Sequence, residues 1–366
     1  MTSHHRMRPK FTIPLAAAAG ILALAGFAVY AQEGAVERVI RSNVTVVVAP
    51  TTVTDLDGNY VHDLKPSQFT LFDNDKPQTI KVDETYAPIS LVVAIQADQK
   101  VEPVIPKLQK IGSLLTTLMA GEQGEVAILS FDHRLQVLQD FTSDTTKVQE
   151  GLKKLKPGGS TSRVIDAVER ASQMLKSRSK ERRRIILLIA ESRDNGSYGR
   201  LRESLATTQI DDVMVYALNM SRFYTETMSK PGIPRPDPIP PGARHVPAGA
   251  VNTPTTTAQL TGSQGYGVNF VPLIGEIFRD VKGIFVDNPV EVFTKYTGGR
   301  EMGFVSQKSL ENAVAEIGRE IHNQYIISYN PDNKIEGGFH TIRVDVAGRY
   351  NVRTRPGYWL AAVNGQ

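Results

Sequence analysis

Two kinds of hydrophobic pattern succeed one another along the chain. Between residues 34 and 86 the runs are short and strand-like: Val44–Val48 is β-branched throughout, Gln68–Phe72 alternates in part, and Thr79–Val82 resumes briefly. Thr54-Asp55-Leu56-Asp57-Gly58 and Asn74-Asp75-Lys76-Pro77 separate them with turn-forming residues. Such runs bounded by Asp, Asn, Gly and Pro predict strands and turns.

From about residue 88 the period changes. Leu91–Ile95 is a continuous apolar run, followed by a helical stripe of Val104, Leu108, Ile111, Leu115 and Leu118. Glu125–Phe131 and Leu135–Phe141 read as two strands joined at Asp132-His133-Arg134. A polar helix over 144–155 ends at Pro157-Gly158-Gly159, and Val164, Ala167, Ala171 and Leu175 mark a second helix. Ile185–Ala190 and Val213–Leu218 are two further apolar strands. Strands apolar on both faces, alternating with amphipathic helices, predict a parallel sheet covered on both sides. Eight prolines then interrupt the pattern over 230–268, a stretch that cannot pack as helix or central strand. Structure is expected to resume near Leu273, with a helix over Val290–Tyr296. Ser309 is placed to cap a helix with the stripe Leu310, Val314, Ile317 and Ile321, which leads into a strand at Tyr325–Tyr329. Phe339–Val346 and Tyr350–Arg355 read as a β-hairpin around Gly348.

The amino-terminal pattern is of another kind. His4, His5, Arg6, Arg8 and Lys10 precede an apolar stretch from Phe11 to Tyr30, and Val29-Tyr30-Ala31 offers a cleavage site before Gln32. Residues 1–31 therefore read as an export signal. The alternative is a retained anchor, since about 20 apolar residues span a bilayer. If retained, it is the expected contact with a membrane. The expected location is exported, either periplasmic or secreted to the cell surface.

Charge looks at first like a pointer to nucleic acid. The 366 residues carry a formal net charge of +4, with a basic run at Lys176, Arg178, Lys180, Arg182, Arg183 and Arg184. Without residues 1–31 the net charge falls to +1. The basic run lies at a helix end, where cations are favoured, and no interleaved aromatics offer base stacking. It is read as a solvated helix end, the alternative being contact with an anionic surface, and no nucleic-acid partner is expected. The absence of cysteine excludes disulfides, thiolate metal sites and a cysteine nucleophile. No nucleophile elbow, zinc-protease helix or phosphate loop is present, so no catalytic residue is expected and the protein is read as non-enzymatic. His62, His133, His245, His322 and His340 are scattered and read as surface or turn residues. Gly262-Ser263-Gln264-Gly265-Tyr266-Gly267 follows a coil and reads as flexible chain.

The order of elements from residue 88 resembles the von Willebrand factor type A domain. Phe69-Thr70-Leu71-Phe72-Asp73-Asn74, Thr297-Gly298-Gly299, Gln324–Pro331 and Arg353-Thr354-Arg355-Pro356-Gly357-Tyr358 are similar to type A-related proteins described from acidobacteria. The resemblance implies a doubly wound α/β sheet of strand order 3-2-1-4-5-6 with one antiparallel edge. It also implies a ligand site outside the carboxyl ends of the strands, where the order reverses. The expected organisation is a signal peptide (1–31), a β-rich segment (34–86), the type A-like domain (87–331, with the insertion 230–268) and a C-terminal hairpin (335–360). The two β segments are expected to meet in a small β-sandwich.

Family members hold a divalent ion at this switch point, in the metal-ion-dependent adhesion site. The motif is Asp-x-Ser-x-Ser after the first strand, a Thr in the Gly-Gly loop and an Asp after the fourth strand. Here the corresponding residues are Gln96, Asp98 and Lys100, then Thr161 or Ser162, then Glu191. Asp98, Thr161 and Glu191 remain as oxygen donors, with a lysine among them. The expectation is a degenerate, metal-independent site with no cofactor, Mg²⁺ being the alternative. By resemblance the function is protein binding or adhesion, with a protein ligand. The alternative is a structural subunit of a cell-envelope complex that uses the β-sandwich. The proline-rich insertion is expected to border the ligand face, or else to be a solvated loop.

Overall fold

The computed structural model describes residues 46–83, 87–221, 223, 288–332 and 338–360. The signal segment, the insertion 230–268, the segment near Leu273, His245 and the Gly262–Gly267 run lie outside the described residues.

The central sheet contains β5 (Ile89–Gln96), β6 (Glu125–Phe131), β7 (Leu135–Thr142), β8 (Arg183–Ala190), β9 (Val213–Asn219) and β10 (Glu301–Gly303). Their spatial order is β10-β9-β8-β5-β6-β7, parallel except for the antiparallel edge strand β7. Numbered from β5, this is the expected 3-2-1-4-5-6 order, and it reverses between β5 and β8.

β5 is buried along its whole length because successive side chains enter different cores. Leu91, Val93 and Ile95 pack with Leu108, Ile111 and Leu115 and with helix α5 (Gln307–His322). Val92 and Ala94 pack on the other face with α2 (Val164–Lys176) and α4 (Pro289–Thr297). α1 (Thr145–Lys153) covers the first face beside β7, and α3 (Leu201–Ile210) covers the second.

Helix ends follow local chemistry. Asp144 accepts from the amides of Thr146 and Lys147 at 2.8 and 3.4 Å and starts α1. Asn288 caps α4, Pro289 occupies its first turn, and Gly298 ends it in the left-handed conformation (φ 89°). The cap of α5 is Ser306, whose Oγ accepts from the Ser309 amide at 3.2 Å, and not Ser309 as expected. The stripe ending at Leu118 also departs from expectation. Leu115–Ala120 forms a π turn, and its extra residue rotates Leu118 to the surface (40% exposed) and brings Met119 into the core.

The remaining strands form two four-stranded sheets. One has the order β13-β1-β11-β4, with β1 Val47–Thr54, β4 Ile80–Asp83, β11 Tyr325–Tyr329 and β13 Asn351–Arg353. The other has the order β14-β12-β2-β3, with β2 Phe69–Asp73, β3 Lys76–Gln78, β12 Gly338–Val346 and β14 Gly357–Leu360. Val47, Val53 and Ile327 of the first sheet share a core with Leu71, Ile342 and Val344 of the second, which makes a sandwich. Asp73, buried among these strands, accepts from the hydroxyls of Tyr329 and Tyr358 at 2.8 Å each and lies 2.8 Å from His340 Nδ1. Burial and the Asp73 charge push both phenols well above the usual tyrosine range. His340 is thus fully buried, and His322 is half-buried; neither is the surface residue expected.

Two pairings correct the sequence expectation. Tyr325–Tyr329 belongs to the sandwich and not to the α/β sheet, and its alternating burial is that of an antiparallel strand covered on one side. The segments around Gly348 are not a hairpin. β12 pairs with β2 and β14, whereas β13 crosses to the other sheet and pairs with β1.

That crossing delivers Arg353 to the seam between sandwich and central sheet. Its Nη2 donates to Glu320 Oε1, and its Nη1 donates to the Gly299 carbonyl at 2.8 Å. Glu320 is 1% exposed and also accepts from Tyr216 Oη at 2.9 Å, while Arg300 Nε stands 3.0 Å from its Oε2. Gln324 Nε2 continues the network, donating to Tyr216 Oη at 3.0 Å and to Thr52 Oγ1 at 3.2 Å. Glu320→Ala strands these donors at the seam and is expected to lower stability by about 3 kcal/mol in urea denaturation. Tyr216→Phe, which removes the bond to Glu320 and the bond from Gln324, is expected to cost about 2 kcal/mol.

Candidate functional site

Three loops converge at the carboxyl ends of β5 and β8. The loop after β5 carries Asp98 and Lys100, the Gly-Gly loop before α2 carries Thr161 and Ser162, and the loop after β8 begins at Glu191. Backbone bonds join the first two: Gly158 N–H donates to the Ala97 carbonyl at 2.6 Å, and Gln99 N–H to the Gly159 carbonyl at 3.1 Å. Asp132 supports them, accepting from the Gly159 amide at 2.8 Å. A Cβ at Gly158 would collide with that carboxylate, so the close approach requires glycine. Burial would raise the Asp132 pKa, but the amides of Gly159 and Arg134 and the charges of His133 and Arg134 outweigh it and hold the carboxyl low.

The third loop is pinned to the second and to α2. Ser162 N–H donates to Asn195 Oδ1 at 2.6 Å, and Asn195 N–H returns to the Ser162 carbonyl at 3.1 Å. Asp194 Oδ2 accepts from Ile165 N–H at 2.9 Å and supplies an α2 amide with the partner that Arg163 at the cap position does not. Asp132, Asp194 and Asn195 correspond to no position of the motif. The signal for them was turn chemistry beside the motif positions.

Gln96 crosses the switch point. Its Nε2 donates to Asp98 Oδ2 at 3.0 Å, and its Oε1 accepts from Glu191 N–H at 2.8 Å. A carboxylate at this position could only accept, and it would set a second negative charge against Asp98. The amide instead bonds to both strand ends without an ion. Lys100 Nζ reaches Glu191 Oε2 at 3.4 Å from an exposed position, 61% against 19% for Glu191. The structure thus links Gln96, Asp98, Glu191 and Lys100 directly. Ser162 joins through Asn195, and Thr161, half-buried, turns its methyl group toward Gly196.

Two oxygens remain idle. Asp98 Oδ1 and Ser162 Oγ are buried without hydrogen-bond partners, on residues 1% and 3% exposed. Burial, with the charge of Glu191, raises the Asp98 pKa above the ordinary carboxylate value, although the Gln96 bond and Lys100 oppose the shift. A hard divalent ion asks for about six oxygen ligands. The residues present do not fit one, because the Gln96 oxygen already accepts from Glu191 and Lys100 adds positive charge. Among the described residues no cluster of three His, Cys, Asp or Glu side chains is arranged to hold a metal.

The family profile described as the von Willebrand factor type A domain matches residues 100–193, from the loop after β5 to the loop after β8. The α/β unit is a von Willebrand factor type A-related domain. Similar solved structures include an aerotolerance-related membrane protein from Bacteroides fragilis, 15% identical over 63% of this chain and 98% of that one (TM-score 0.37). The conserved hypothetical protein BatB from Bacteroides thetaiotaomicron is 12% identical over 64% of this chain and 98% of its own (TM-score 0.38). The vWF domain of the type V pili tip protein Mfa5 from Porphyromonas gingivalis is 20% identical over 30% and 40% (TM-score 0.27). No curated protein matches the chain.

The raised Asp98 carboxyl has a consequence for stability. At neutral pH the folded state holds an ionised carboxylate that the unfolded chain solvates better, so its burial is destabilising. The penalty fades as pH falls through the folded value toward the ordinary carboxylate range. Asp98→Asn is therefore expected to raise the unfolding midpoint at pH 7 by roughly 2–4 °C. The gain should shrink at pH 4 and below, as followed by thermal scans across pH.

Proposed function

We propose that the type A face around Asp98, Ser162 and Glu191 is a protein-docking surface that works without a divalent ion, in a protein exported from the cytoplasm. The observation that carries this reading is the Gln96 bridge, which ties the two strand ends together where a metal would otherwise do so. Asp98 Oδ1 and Ser162 Oγ are left to meet hydrogen-bond donors from a partner. Lys100 and Glu191 supply one charge of each sign at the rim, where an exposed pair costs little to open. Export is read from the basic start and apolar stretch of residues 1–31. Among the described residues no helix is long and apolar enough to cross a membrane.

Two measurements test the reading. In calorimetric titrations Mg²⁺ and Mn²⁺ are expected to produce no micromolar binding, and a micromolar isotherm lost in Glu191→Ala would overturn the metal-free site. In pulldowns from cell-envelope extract, partner capture is expected to survive EDTA and to be lost on Lys100→Glu or Glu191→Lys. Capture unchanged by both reversals would move the docking surface to the β-sandwich, as in a structural subunit of an envelope complex.

A further inference from the structure

The opposite end of the sheet has the reverse electrostatics. At the amino ends of β8 and β9, beside β1 and β4 of the sandwich, lies a cleft of about 770 Å³. That volume is ample for a small-molecule ligand. Its walls carry seven cationic side chains and four carboxylates.

Pairing does not remove the excess. Lys81 pairs with Asp83 at 3.0 Å, Lys176 with Asp211 at 3.1 Å, and Arg182 with Glu125 at 3.4 Å. Lys180, Arg183, Arg184 and Arg355 have no carboxylate at ion-pair distance among the described residues, against Glu181 and Asp212. Within the basic run read as a solvated helix end, Lys176 and Lys180 are exposed, but Arg182 and Arg183 are half-buried and Arg184 is buried.

Two of these arginines are nearly sealed from solvent. Arg184 is 8% exposed and Arg355 is 4% exposed, and the Nε of each is buried without a hydrogen-bond acceptor. Arg184 is held by its other nitrogens, which donate to the carbonyls of Asp211 at 3.1 Å and Arg178 at 2.9 Å. Its Nε is left over. A guanidinium stays protonated even when burial disfavours its charge, so an anion in the cleft would relieve both the unpaired charge and the idle donors. Asp212 sits among Arg355, Arg184 and Lys180 and competes for that position. Although the residue reaches solvent, crowding in the cleft outweighs those charges and pushes its carboxyl up to about 6.

We propose that this cleft is an anion-binding site for a phosphoryl-bearing ligand, seated against Arg184, Arg355 and Lys180. A surplus of about two unpaired positive charges suits a phosphate monoester, which carries about −1.5 to −2 near neutral pH. Arginine forks suit phosphate oxygens. The phosphoryl group can come from a soluble ester or from a lipid headgroup. This site is distinct from the docking face, which lies at the other end of the same strands.

The test is calorimetry of the full chain with inorganic pyrophosphate as probe, together with co-sedimentation on phosphatidylcholine vesicles with and without phosphatidic acid, whose headgroup is a phosphate monoester. Pyrophosphate is expected to bind with a salt-sensitive dissociation constant below millimolar. Arg184→Gln should weaken it about tenfold or more, the loss of one charge-assisted hydrogen bond. Asp212→Asn should tighten it several-fold, and asparagine tolerates the positive φ of 51° found there. Vesicle binding displaced by pyrophosphate supports the site and assigns a lipid source. Pyrophosphate binding without vesicle binding supports it and assigns a soluble ester. The proposal is overturned if pyrophosphate binds neither the wild type nor Asp212→Asn, or if a folded Asp212→Asn binds no more tightly than the wild type. Should Arg184→Gln fail to fold by circular dichroism, the Asp212 comparison decides.

Discussion

One carboxylate joins the two halves of this molecule. Glu320 lies near the end of a helix on the central sheet, almost wholly removed from water. An ionised group so placed is tolerable only where donors surround it. The groups that answer it come from distant parts of the chain: Tyr216 on β9 and Arg353 on a three-residue strand of the sandwich donate to it, and Arg300 just before β10 stands at ion-pair distance. Each is positioned by a different element, so sandwich and sheet must both be in place before the charge is satisfied. The seam they hold closed also forms the cleft at the amino ends of β8 and β9. The Glu320 joint therefore supports the anion site as well as the fold.

The two ends of the parallel sheet treat charge differently. At the carboxyl ends a neutral amide, Gln96, does the cross-linking and leaves one buried carboxylate oxygen and one hydroxyl idle. At the amino ends the cations without an ion-pair partner, Lys180, Arg183, Arg184 and Arg355, outnumber the unpaired carboxylates Glu181 and Asp212. Both ends hold polar groups in positions that do not minimise the energy of the isolated chain. Such uncompensated groups are what binding can satisfy, and the physical argument for two separate sites rests on them.

Much of the α/β unit was legible from residue pattern. Runs apolar on both faces, such as Leu91–Ile95 and Ile185–Ala190, can be buried only inside a covered parallel sheet, and they are. The candidate loops were legible as well, because Gly158-Gly159 and the positions after each strand mark them. How those loops are tied was not. Nothing near Gln96 in sequence announces that its amide will reach Glu191, 95 residues later, and Asp194 and Asn195 fall on no position of the motif. The inward turn of Arg184 was hidden for a similar reason, since a cation at a helix end is favoured by the helix dipole whether or not a second domain covers it.

By itself the sequence determined the periods, the punctuation and the chemistry available: which segments are strand or helix, where they stop, and that no metal-site carboxylate stands at position 96. Only the tertiary structure decided which strands pair, which charges are buried and which polar atoms go without partners. Alternation of period two is the same whichever neighbour a strand finds, so Asn351–Arg353 could be read as a hairpin arm and still pair with β1. Burial is set by chain hundreds of residues away. Whether an arginine is solvated or stranded is therefore not a property of its local sequence.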